Sequence, residues 1–141
     1  MQKFSLFLIK ENVADAYYHK SDILFHFLQK YPSLKSDEVY RKQFLYITQE
    51  ISTDHLIQFI QKQYPTQSVR TSAHQLYITY QSTHIKITVN PTECTVEGSS
   101  LHEVEQFVFE YLRSFYSTFF VVNIADQQFG WLSPQRKRLM I

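Results

Sequence analysis

Six histidines, one cysteine and thirteen carboxylates could carry catalysis or hold a metal here, and their spacing suggests neither. The histidines are His19, His26, His55, His74, His84 and His102. No two form a recognisable zinc-ligand pair, and there is no CxxC. A zinc deaminase needs a carboxylate two residues after its histidine. After His102 that position holds Val104, with Glu103 directly adjacent, and the required cysteines are missing. His102 and Glu103 read instead as polar residues in the first turn of a helix. Cys94 falls in an apparent strand, where a thiol packs as a small apolar group. Glu103 and Glu105 point to different sides of a helix and make a poor acid/base pair. Glu110 and Arg113, at i,i+3, read as a solvated pair worth about 0.5 kcal/mol at most. The two glycines, Gly98 and Gly130, do not make a phosphate-cradling loop. Asn90-Pro91-Thr92 has proline in the position that excludes glycosylation.

Arg136-Lys137-Arg138 could touch nucleic acid, or could be a solvated tail that aids solubility. Three charges support only weak, salt-sensitive binding. The formal net charge of +1 argues against a broad nucleic-acid-binding field.

The 141 residues suit one domain, and an apolar fraction of 44% suits a folded one. A single cysteine excludes an internal disulfide framework. Phe4 to Ile9, broken by Ser5 and stopped by Lys10 and Glu11, is too short for a signal peptide or a membrane span. A cytoplasmic protein is expected.

Phe4 to Ile9 reads as a short strand. Asn12 then offers a helix cap, and Ser21 a restart for Ile23, Leu24, Phe27 and Leu28, as one helix or two. Pro32 should end that segment. Ser36 should start the next helix, with Val39, Tyr40, Phe44, Leu45 and Ile47 as its apolar residues. Thr53 should cap a third helix, striped by Leu56, Phe59, Ile60 and Tyr64. The period then becomes two: Leu76, Ile78 and Tyr80, then Ile85, Ile87 and Val89, joined tightly through Gln81 to Thr83. Cys94 to Val96 is a further short strand, and Val69 to Thr71 a possible edge. Ser100 to Glu103 fits a capping box before the stripe Leu101, Val104, Val108, Tyr111 and Phe115. Thr118 to Ile124, apolar on both faces, suits a central strand, and Phe129 to Leu132 a hairpin partner. The expected fold is an α+β single-domain sandwich. Its sheet is mixed or mainly antiparallel, with about five strands and about four helices packed chiefly on one face.

Ten Tyr, twelve Phe and one Trp are more rings than a core of this size needs inside. Tyr17 and Tyr18 are neighbours, so a helix points them about 100° apart and they cannot share one core. Gln43 and Tyr46 share a helix face if the helix reaches that far. Tyr17 and Tyr46 either seal the edge of the core with wet hydroxyls or form a binding surface.

Four stretches resemble the sporulation inhibitor of replication family, SirA. They are Phe7-Leu8-Ile9-Lys10-Glu11 followed by Ala14 and Tyr17, and Gln43-Phe44-Leu45-Tyr46-Ile47-Thr48-Gln49. The others are the apolar pattern from Leu101 to Ile124, and Phe129-Gly130-Trp131-Leu132-Ser133-Pro134 with a charged segment after it. They span nearly the whole chain in the expected order. The resemblance implies one domain over 1–141, with 132–141 as a basic C-terminal tail. It implies a protein without catalytic activity or cofactor, made on entry into sporulation. Its partner would be the N-terminal domain of the replication initiator DnaA, held so as to restrain new rounds of initiation. Carried over by position, the contact surface comprises Val13, Ala14, Tyr17, Gln43 and Tyr46. Val13 stands where the family pattern has Phe, and Asp15 where it has Asn. Loss of that aromatic removes contact area that could be a hot spot.

On this reading Tyr17 and Tyr46 form the apolar centre of the interface. Val13 and Ala14 let the first helix approach closely, and Gln43 supplies directional hydrogen bonds. Phe129, Gly130 and Trp131 read as structural: the glycine for a tight backbone conformation, the tryptophan to cover the sheet edge or core. The alternative function is direct nucleic-acid binding through the basic tail and exposed tyrosines. No membrane or small-molecule partner is expected.

Overall fold

The computed structural model describes residues 1–133. Among these residues seven antiparallel strands form one sheet in the order β2-β3-β4-β5-β1-β6-β7. They are β1 Gln2–Leu8, β2 Val69–Ser72, β3 Gln75–Tyr80, β4 Thr83–Val89, β5 Cys94–Gly98, β6 Phe119–Asn123 and β7 Gln128–Trp131. Val69 to Thr71, read as a possible edge, and Phe129 to Leu132, read as a hairpin partner, correspond to the strands β2 and β7, which raises the expected five to seven. The basic tail residues Arg136, Lys137 and Arg138 lie outside the described residues.

β1 lies between β5 and β6, and side-chain alternation splits its residues between two cores. Phe4, Leu6 and Leu8 face one core, and Phe7 and Ile9 face the other. β6 does the same, with Phe119 in the first core and Phe120 and Val122 in the second. The helices therefore cover both faces, which corrects the expected one-sided layer. The first face carries α5 (Thr53–Gln61) and a helical run over 101–115. That run comprises α6 (Leu101–Val104), a π turn (Glu105–Phe109) and α7 (Glu110–Phe115). The second face carries α1 (Glu11–Tyr17), α2 (Ser21–Leu28), the short α3 (Tyr31–Leu34) and α4 (Glu38–Ile47). This second layer sits on β1 and β6. The alternating strands β3 and β4 bury only the side chains of the first core, as a half-wet antiparallel sheet does. Their clear period two suggested one layer; the two-faced β1 and β6 required another.

Several helix ends differ from the sequence reading. α1 begins at Glu11 without a side-chain cap, and Asn12 lies inside it. Asp37, not Ser36, caps α4, its Oδ1 accepting from the Tyr40 amide at 2.9 Å. Ser52, not Thr53, precedes α5. Pro32 lies in the first turn of α3, where its missing N–H costs no helical bond. Of the box expected at Ser100, the N-cap half forms: its Oγ accepts from the Glu103 amide, while the Glu103 carboxylate accepts from Ser99 Oγ. Within 101–115, Leu101 is 38% exposed and Phe109 is buried against Phe4. A π turn has more residues per turn than 3.6, so stripe counting loses phase across it.

A Cβ on Gly98 would come within 2.6 Å of Val104 Cγ2, so glycine is what lets α6 close on β5. Gly130 has neither a positive φ nor a close neighbour, which removes the expected conformational reason for it. Cys94 is fully buried, and burial pushes its thiol up to about 12. Arg113 pairs with Glu110 at 3.2 Å as expected, but it does more than sit in solvent. It also pairs with Glu105 and donates from Nε to the Leu132 carbonyl at 2.7 Å, tying the helix to the chain beyond β7.

Candidate functional site

Ile9 and Lys10 alone connect β1 to α1, and α4 ends beside that junction. The Lys10 amide donates to the Ile47 carbonyl at 2.9 Å, and the Gln49 amide to the Leu8 carbonyl at 2.9 Å. Ile9 and Thr48 form an isolated antiparallel bridge between these bonds. Thr48 Oγ1 also donates to the Phe44 carbonyl at 2.7 Å, closing the last turn of α4. At its other end α4 is tied to α2, because the Tyr40 hydroxyl donates to the Phe27 carbonyl at 3.0 Å. Burial pushes that phenol above its ordinary range, so it stays a donor.

Between α1, α2 and α4 lies a groove of about 450 Å³. Val13 and Tyr17 of α1 and Gln43 and Tyr46 of α4 all line it, so four of the five expected residues converge there. Val13 is nearly enclosed, Tyr17 is 37% exposed and Tyr46 is 69% exposed. α4 does reach far enough to put Gln43 and Tyr46 on one face. Ala14 is the exception. It is fully buried in the second core, so it cannot be a surface contact as the resemblance implied. Its helical direction turns it from the groove toward the sheet, where its small side chain is enclosed.

Tyr17 and Tyr18 part as their adjacency required. Tyr18 stacks on Trp131, ring centres 5.7 Å apart and planes 18° apart, and its carbonyl accepts from Trp131 Nε1 at 3.2 Å. Phe129 stacks on Phe25 of α2 at 4.5 Å. The Phe-Gly-Trp segment is thus the support that holds α1 and α2 against β7.

Sequence reasoning missed Ile23, Leu24, Phe27, Lys42 and Ile47 as lining residues. Ile23, Leu24 and Phe27 share one helical repeat in the sequence, which does not separate the 52% exposed Ile23 from the buried Leu24. Lys10 holds its Nζ 5.6 Å from the centre of the Tyr46 ring, a cation–π distance. The lining has phenols, an amide and an ammonium, and no carboxylate, imidazole or thiol. Exposed phenol rings beside an amide and an ammonium are groups that protein interfaces use. Among the described residues no three His, Cys, Asp or Glu side chains gather as a metal site, and no helix is long and apolar enough to cross a membrane. A larger cleft of about 800 Å³, with Lys3, Lys35, Glu93 and Asp126 in its lining, includes none of the five expected residues.

The sequence profile described as sporulation inhibitor of replication protein SirA matches residues 2–136. This chain belongs to the SirA family. Among SirA proteins, that of Bacillus subtilis (strain 168), which bears the same description, is 28% identical to it. The alignment covers 94% of this chain and 93% of the relative. The match therefore takes in both layers of the SirA fold and the groove between α1, α2 and α4.

Proposed function

We propose that this SirA family chain restrains initiation of DNA replication during sporulation by binding the N-terminal domain of DnaA in the groove between α1, α2 and α4. The protein acts in the cytoplasm, without catalysis. The observation that carries this reading is the convergence of Val13, Tyr17, Gln43 and Tyr46 on one groove from two helices far apart in sequence. Tyr17 and Tyr46 supply amphipathic rings at its mouth, the residue type that most often dominates protein interfaces. Val13, nearly enclosed, adds apolar lining, and the Gln43 amide can donate and accept beside the rings. Inhibition follows by occupancy: a DnaA domain seated on these rings is denied the contacts an initiation complex needs.

Calorimetric titration of the purified chain with the N-terminal domain of its host's DnaA tests this. Saturable binding that weakens in Tyr17→Ala and Tyr46→Ala, both still folded, is the expected result. An absence of heat at high micromolar concentrations sinks the reading.

A further inference from the structure

The groove has a third wall, from α2. Leu24 is enclosed, but Ile23 beside it is half in water while lining the same cavity. Little of its side chain serves this chain's own core, and an apolar surface at a cavity wall gains most when a partner covers it. The electrostatics of the groove are one-sided. Lys42 is the charged residue in its lining, and Lys10 lies over the Tyr46 ring at its edge. The carboxylate facing Lys42 is Glu38, 3.8 Å away, with both side chains largely in water. Solvent screens such a pair and leaves the ammonium available to a partner.

We propose that Ile23 and Lys42 complete the partner site, and that the segment seated in the groove presents a large apolar side chain flanked by a carboxylate. The proposal rests on the reading that the groove binds the DnaA domain, and adds the chemistry of the contact. The apolar group lies against Ile23, Tyr17 and Phe27, and the carboxylate meets Lys42. Burial against Ile23 contributes at all ionic strengths, whereas the attraction to Lys42 is screened by salt. Lys42 also steers encounter, so its effect falls partly on the association rate.

The test titrates the DnaA N-terminal domain into wild type, Ile23→Ala, Lys42→Glu and Arg41→Glu at low salt and at about 0.5 M salt. Arg41 is an exposed neighbour outside the groove lining and serves as the control. Circular dichroism confirms that each variant is folded. Ile23→Ala is expected to bind about tenfold more weakly at both salt concentrations. Lys42→Glu should bind about tenfold more weakly at low salt, with the gap closing at high salt. Arg41→Glu should stay within about twofold of wild type. If wild type binds and Ile23→Ala binds equally well, or Lys42→Glu is no weaker than Arg41→Glu, this proposal falls while the partner reading stands. If wild type itself does not bind, both fall.

Discussion

The Lys10 amide and the Ile47 carbonyl, 2.9 Å apart, join the start of α1 to the end of α4. The two helices that carry the candidate contacts are thus fixed to each other by backbone, next to the side chains they present. A groove whose helices are tied in this way lowers the ordering cost of the binding proposed for it.

Tyr46 is the cleanest test of the surface. At 69% exposure it contributes little to the core, so Tyr46→Ala should leave the melting temperature nearly unchanged. Binding to the DnaA domain should weaken by about 2 kcal/mol, roughly 30-fold. Calorimetry and thermal denaturation on the same sample separate the two effects.

Ala14 behaves in the opposite way. It is fully enclosed, so Ala14→Leu overpacks the second core and should cost about 1–3 kcal/mol of stability. Urea denaturation reads this directly. A variant as stable as wild type would show that the site has room and that Ala14 is not the core residue described above.

Trp131 anchors α1 through two contacts that can be removed separately. Trp131→Phe keeps a ring against Tyr18 and loses the indole hydrogen bond, at a cost of about 1 kcal/mol. Trp131→Ala loses both and should cost about 3 kcal/mol. Because α1 then loosens, partner affinity should fall as well, although Trp131 does not line the groove.

Cys94 makes stability depend on alkaline pH. Burial raises its folded pKa from 9.0 to about 12, so between these values the folded chain binds more protons than the unfolded one. Stability is fully present below about pH 9 and falls as pH rises, with a slope of at most about 1.4 kcal/mol per pH unit. Tyr40 and Tyr64, also raised by burial, steepen the loss above pH 10. In Cys94→Ala the decline between pH 9 and 10 should flatten. Denaturant midpoints across that window would show it, and an unchanged slope would mean the thiol titrates as it does in water.

The β3–β4 turn carries removable strain. Gln81 and Ser82 have φ of 51° and 67°, a left-handed pair that suits Asn-Gly far better. Gln81→Asn with Ser82→Gly should stabilise the chain by about 1 kcal/mol. A thermal melt of the double variant suffices to check it.

What could be read from the residues followed from period and adjacency. Alternation in Leu76 to Tyr80 and Ile85 to Val89 predicted β3 and β4 closely, and the neighbouring Tyr17 and Tyr18 had to part. The pairing of Gln43 with Tyr46 needed only the helical repeat. The second layer was harder, because Phe7 and Ile9 look the same whether the far face of β1 meets helices or β-structure. Ile23 escaped because an exposed isoleucine and a core isoleucine have the same spacing beside Leu24 and Phe27. Ala14 was misplaced because the family motif does not say which residues of α1 turn inward. Arg113 reached Glu105 and the Leu132 carbonyl across the π turn, and i,i+3 counting finds only Glu110.

The place of β1 in the sheet has a consequence for synthesis. β1 pairs Gln2 with Gly98 and Ser5 with Val122, so both of its neighbours in the sheet are synthesised well after it. The helices of the second layer rest on Phe120 and Val122 as well as on Phe7 and Ile9. A nascent chain short of β6 therefore has the groove residues but not the floor that orients them. Such long-range closure is slow, and a ribosome stalled before Phe119 would display apolar α1 and α2 rather than an inhibitor. The second-layer helices thus gain their full support only once β6 has docked on β1.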